Sequence, residues 1–97
     1  MSVIIGEIKI VEIIDGKGRI AIPRGVIPPE ATSVKFKLEG KVIHGGEILT
    51  RIDKEYTGNY NGLTETLEIP QGVRETYYLR EGDVISVILL EYFEEKK

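Results

Sequence analysis

The chain has no cysteine, which excludes disulfides, thiolate metal sites and a cysteine nucleophile. It has one histidine, His44. A zinc site built on that residue would need three carboxylate or water ligands, an uncommon set. A histidine-based triad would need a nucleophile placed by the fold, and Ser2, Ser33 and Ser86 stand in no elbow motif. His44 therefore reads as a strand-end residue. No stretch approaches the ~18 uninterrupted apolar residues of a membrane helix. The opening MSVIIGEIKIVE lacks the basic flank of a secretory signal, so a cytoplasmic protein with no membrane partner is expected. The loop DGKGR, residues 15–19, lacks the Gly-Lys-Ser/Thr of a phosphate-binding loop. Glu65, Glu68, Glu75 and Glu81 form no acid/base pair and read as solubilising. No enzyme, cofactor or metal is expected.

What is present suits one soluble domain over residues 1–97, with 41% apolar and 30% charged residues. A chain of this size buries only roughly 60–65% of its unfolded surface, so its core must be efficiently built. The net charge of −3 is a poor start for a general nucleic-acid binder, which displaces counterions with cations. Its distribution is uneven. Residues 1–48 carry seven Lys/Arg against six Asp/Glu, and residues 49–97 carry six against ten. Residues 94–97 read as a frayed tail. Abundant isoleucine, scarce Asn and Gln and high charge fit a heat-adapted source.

Three short anchors recur in order. They are Gly-Glu-Ile at Gly6–Ile8 and Gly46–Ile48, Ile-Pro-x-Gly-Val at Ile22–Val26 and Ile69–Val73, and Glu-Gly-x-Val-Ile at Glu39–Ile43 and Glu81–Ile85. They imply two copies of ~40 residues, one over about 3–44 and one over about 45–93. In the first copy residues 3–14 read as a strand, with a bulge where alternation slips near Val11. Asp15-Gly16 signals a hairpin turn. Arg19–Ile22 returns as a strand, ended by Pro23, which has no N–H to donate. Val34, Phe36 and Leu38 alternate with Lys35 and Lys37 as a half-wet strand. In the second copy 47–56 and 63–69 form the hairpin, Gln71–Leu79 a short helix opened by Pro70, Gly82-Asp83 a turn, and Val84–Phe93 a central strand. A ~40-residue unit cannot bury its own apolar face and must pair with another. The expectation is a mostly β, small closed six-stranded barrel from two fused ββ(α)β repeats with pseudo-twofold symmetry. Closure would remove exposed strand edges and leave a monomer.

The hairpin carrying GRIAIP, a short helical or looped segment, and then L-x-EGDVI-x-V resembles the half-barrel of the SpoVT/AbrB transcription-factor family. The residues that carry the resemblance are Asp15, Gly18–Pro23 and Leu79–Val87. In that family two chains interlace as a swapped-hairpin barrel. Duplicated, fused forms belong to the related cradle-loop barrels, including the RIFT barrels of archaeal riboflavin kinases and translation-factor domains. Gly82-Asp83 is similar to the Gly-Asp structural turn of these barrels, and Gly40-Lys41 is the equivalent turn of the first copy, without the Asp carboxylate. The resemblance implies a non-enzymatic binding module with DNA contacts at Lys17, Arg19 and Arg24. The alternative reading of this trio is a solvated hairpin turn. The second copy has TGNYNGLTETLEIPQ at the matching place, without the basic residues, so any twofold DNA surface would lose one side. A nucleotide- or flavin-binding role is a further expectation, although residues 27–50 lack the metal- and phosphate-binding segment of the kinases. The third is a protein-interaction role for the loop RIDKEYTGNYNG, residues 51–62. Its Tyr56 and Tyr60 either stack on a partner or fold over the barrel rim, and Tyr77 and Tyr78 are read as core caps.

Overall fold

The computed structural model describes residues 1–94, so the proposed tail falls outside it except for Glu94. The alternation of the sequence becomes six strands and one short helix: β1 (Ser2–Ile13), β2 (Arg19–Ala21), β3 (Ala31–Lys41), β4 (Lys54–Asn61), β5 (Thr66–Glu68), α1 (Gln71–Thr76) and β6 (Val84–Glu94). The strands form one sheet in the order β1-β6-β3-β4-β5-β2, antiparallel at every step. In β3 the period of two is clean. Val34, Phe36 and Leu38 face the core, and Lys35 and Lys37 lie on the other side. Ile85, Val87 and Leu89 of β6 complete the same layer. No helix among the described residues is long and apolar enough to cross a membrane.

The sheet curls into an open half-barrel and does not close, in contrast to the closed barrel expected. Closure would need β1 to pair with β2. These strands share the turn bond from Asp15 N to Arg19 O, 2.9 Å, but no ladder. The reason lies in their lengths. β1 has twelve residues and β2 only three, because Pro23 cannot extend the ladder. β2 spends its three residues opposite β5, with Arg19, Ile20 and Ala21 facing Glu68, Leu67 and Thr66.

Of the three repeated anchors, one marks like positions. Ile22 and Ile69 are both buried just beyond the paired strands β2 and β5. Ile22 N donates to Glu65 O and Ile69 N to Gly18 O, each 2.9 Å. After each, a Pro carbonyl accepts a bond three residues on, from Val26 at 3.3 Å and Val73 at 3.0 Å. The first stays a turn and the second opens α1. The other two anchors fall on unlike structure. Gly6–Ile8 lies within β1, whereas Gly46 ends the 3₁₀ turn His44–Gly46. Gly82 sits in the turn before β6, whereas Gly40 lies inside β3 opposite Ser86. The reading of Gly40-Lys41 as a turn is therefore corrected. So is the placing of the β1 bulge near Val11, since the register shift falls between Ile4 and Ile8, around Gly6 at φ +94°. β4 begins at Lys54 rather than 47. His44 is exposed in the 3₁₀ turn, not at a strand end.

One polar group is buried in the layer. Ser86 is 1% exposed, and its Oγ donates to Glu39 Oε1 at 2.7 Å. Lys9 Nζ lies 3.2 Å from the same oxygen. The Ser86 hydroxyl foremost, with Lys9 beside it, holds the Glu39 carboxyl below the usual glutamate value. β1 and β3 are thus tied across β6 by side chains as well as by the sheet.

Candidate binding surface at the turn end

The turn from β1 to β2 is shaped by Asp15. Its Oδ1 accepts the N–H groups of Lys17 at 2.8 Å and Arg19 at 2.9 Å, the local bonding that makes Asp a turn residue. The left-handed residue is Gly18, at φ +75°, rather than Gly16. Its missing side chain leaves room for the guanidinium of Arg74, which a Cβ at Gly18 would strike. Arg74 in turn donates from Nε to Ile69 O at 2.8 Å. Glu81 lies against Gly16, and Gly82 N donates to Ile14 O at 2.9 Å. The DGKG turn, α1 and the 80–83 turn therefore form one contiguous end of the molecule.

The three basic residues singled out in the sequence do not converge. Lys17 is exposed on the turn and has no ion-pair partner among the described residues. Arg19 is drawn inward, with Nε buried and 3.4 Å from Asp15 Oδ2. Arg24 stands out in solvent, 3.9 Å from Glu65. Arg19 and Arg24 line different concavities, on either side of Gly62. Four of the five sheet lysines are occupied: Lys9 pairs with Glu39, Lys35 with Glu55, Lys37 with Asp53 and Lys41 with Asp83, while Lys54, opening β4, has no ion-pair partner among the described residues.

Sequence reasoning missed Tyr78. Tyr56 and Tyr60 do fold back. Tyr60 is buried, with its hydroxyl 3.5 Å from Ile27 O. Tyr56 packs on Phe36 and meets the Tyr77 hydroxyl at 3.1 Å, a contact that, with burial, pushes the Tyr56 phenol up to about 12. Tyr77 packs on the core. Tyr78 was read as a core cap, yet it is 73% exposed at φ +55°. The helix end explains the angle. Leu79 N donates to Arg74 O at 2.8 Å and Tyr78 N reaches Glu75 O at 3.5 Å, the Schellman pattern whose left-handed position normally holds Gly. Tyr78 lines two concavities. One of about 510 Å³ is lined by Gln71, Arg74, Glu75 and Arg80. The other, of about 250 Å³, is lined by Thr50, Ile52, Thr76 and Tyr77. The available signal was RETYYLR itself, an aromatic pair flanked by two arginines.

The 80–83 turn is held by Gly82 and Asp83. Gly82 has φ +92°, Asp83 Oδ2 accepts Arg80 N at 2.8 Å, and Lys41 Nζ lies 3.1 Å from the same oxygen. The Arg80 amide, then Lys41, keeps the Asp83 carboxyl below the ordinary 3.8. The Arg19 amide, then that of Lys17, does the same for Asp15. Values depressed by folding give stability that is present above pH 3.8 and is lost as pH falls through the lower, folded values. Thermal midpoints should thus decline below about pH 4, and Asp83→Asn should flatten that decline while lowering the plateau. A slope unchanged in Asp83→Asn would contradict this assignment.

A structural neighbour fixes the fold. The solution structure of PHS018 from Pyrococcus horikoshii, a thermophilic archaeon, superposes with a TM-score of 0.67, covering 92% of this chain and 95% of that one at 22% sequence identity. That identity shows shared architecture alone. No family model matches the chain, and no curated protein is similar enough in sequence to count as a relative.

Proposed function

We propose that the protein is a non-enzymatic binding module, descended by duplication from an AbrB-like half-barrel of the cradle-loop type, that takes single-stranded nucleic acid across its turn end. The observation that carries the reading is Tyr78, a large exposed aromatic held where the backbone favours glycine and set between Arg74 and Arg80. Strain of this kind persists where it serves a contact. A base stacks on the ring, and Lys17, Arg74 and Arg80 meet the phosphates. Arg19 positions the turn rather than touching the ligand. Duplex DNA fits less well, because it hides its base faces and four of the five sheet lysines already pair with carboxylates. The descent is supported by the strand neighbours: when β1, β2 and β3 exchange with β4, β5 and β6, four of the five pairings are kept, and β4-β5 alone has no counterpart because β1 and β2 form no ladder.

The test is Tyr78→Gly, read for binding and stability together. Fluorescence anisotropy with a labelled single strand should show binding that weakens with salt. The variant should lose roughly 5- to 150-fold in affinity, the range of one stacked base. Its thermal midpoint should rise by a few degrees as the left-handed strain of about 1 kcal/mol is relieved. Absence of salt-dependent binding by the parent protein, or equal binding by Tyr78→Gly, refutes the reading. Duplex DNA, mononucleotides and riboflavin serve as comparison ligands.

A further inference from the structure

We infer that β1 is an interface between two copies of this chain, paired antiparallel edge to edge about Ile8. A chain that closed its own barrel would have no strand edge to offer. This sheet does not close, and β1, its longest strand, is paired only with β6. Ile14 gives both its N–H and its C=O to the β6 side, with Ile14 N to Asp83 O at 2.8 Å and Gly82 N to Ile14 O at 2.9 Å. The register runs unbroken from Ile8 to Ile13. Even-numbered residues in this stretch therefore face β6, and Lys9 and Val11 direct their N–H and C=O outward. An unsatisfied row of this kind is a template for another strand.

The occupant is identified by the order of charges. Glu7 and Lys9 flank Ile8, and both are exposed. In an antiparallel pair centred on Ile8, Glu7 lies opposite Lys9 of the second copy, and Lys9 opposite its Glu7. Direct cross-strand charge pairs of opposite sign are favourable and pairs of like sign are not, so the strand complements itself in this register. Glu7 has no ion-pair partner of its own among the described residues. Lys9, held 3.2 Å from Glu39, would sit between two carboxylates. The Gly6 bulge of each copy lies opposite Ile10 of the other and limits the ladder on both sides of Ile8, which fixes its register instead of allowing indefinite pairing. Ile4 and Val11, 80% and 49% exposed, fall toward its ends.

Analytical ultracentrifugation of the full chain tests the inference. The parent protein should sediment as a dimer. Glu7→Lys and Lys9→Glu, each alone, place like charges opposite one another and should sediment as monomers. Mixed in equal amounts they should form a heterodimer, and Glu7→Lys/Lys9→Glu on one chain should restore the homodimer. Lys9→Glu also removes the contact to Glu39, so a second variant covers its failure to fold. Ile8→Cys, in a chain with no other cysteine, should give an intermolecular disulfide, since directly opposed residues lie about 4.5 Å apart at Cα, within bridging range. Val3→Cys should not. A parent protein that stays monomeric up to about 1 mM, or a dimer indifferent to the charge swaps and without an Ile8 crosslink, overturns the inference.

Discussion

Gly40→Ala should lower the thermal midpoint by roughly 15–20 °C, from a destabilisation of about 3 kcal/mol or more. Gly40 lies inside β3 at φ +150°, a backbone region that side-chain-bearing residues rarely enter. The larger obstacle is space. A Cβ there would run into the carbonyl oxygen of Thr50 and come within 2.9 Å of Ile48 Cγ2. The chain after the 3₁₀ turn is bound down over this point, with Leu49 N to Lys41 O at 2.7 Å and Ile52 N to Glu39 O at 2.8 Å. An alanine must push that segment away and break these bonds. Gly25→Ala is the control. Gly25 is also left-handed, at φ +85°, but open space surrounds it, so only the backbone cost of about 1 kcal/mol is expected. Calorimetry of the two variants separates close approach from conformation. Equal losses would show that the Thr50 contact contributes nothing.

Phe36→Ala should cost about 3–5 kcal/mol, a large part of the ~5–15 kcal/mol that holds a typical domain together. Phe36 is fully buried at the middle of β3, opposite Tyr56 on one side and Leu89 on the other. Its ring centroid lies 6.2 Å from that of Tyr56 at 42°. No neighbour can fill the space without leaving its own strand register, so the cavity term remains. Urea titration should show the midpoint falling sharply with the slope unchanged. Leu63→Ala, at a side chain 96% exposed, should shift it by no more than about 0.5 kcal/mol. A Phe36 variant as stable as the Leu63 variant would mean the core is not centred on β3.

These residues also show where the sequence was legible. Val34, Phe36 and Leu38 announced a strand with one wet face because period two survives burial. Asp15, Pro23 and Gly82-Asp83 announced their turns because each acts through its own backbone. Gly40 was misread because its reason is a carbonyl distant in the chain, and nothing near it in sequence distinguishes a turn glycine from one under a crossing loop. Openness of the sheet was hidden for the same reason. It depends on β2 being too short to accompany β1, a relation between two lengths rather than a motif. At the candidate site, Lys17, Arg19 and Arg24 were visible as charges, but side-chain direction was not. Tyr78 was read as a core cap with Tyr77, because nothing in RETYYLR marks where the helix ends and so which of the two rings turns outward.

The crossed bonds from Ile22 to Glu65 and from Ile69 to Gly18 bear on how the molecule is made. Each turn is fastened by the other half, so neither can lock while the chain is incomplete. During synthesis the first half waits with Ile22 N–H and Gly18 C=O unanswered until Ile69 has been added. Every such closure spans a long loop, which places the protein among the slow folders, in milliseconds to seconds rather than microseconds. The interval in which its isoleucine strands lie open is set by translation as much as by chemistry.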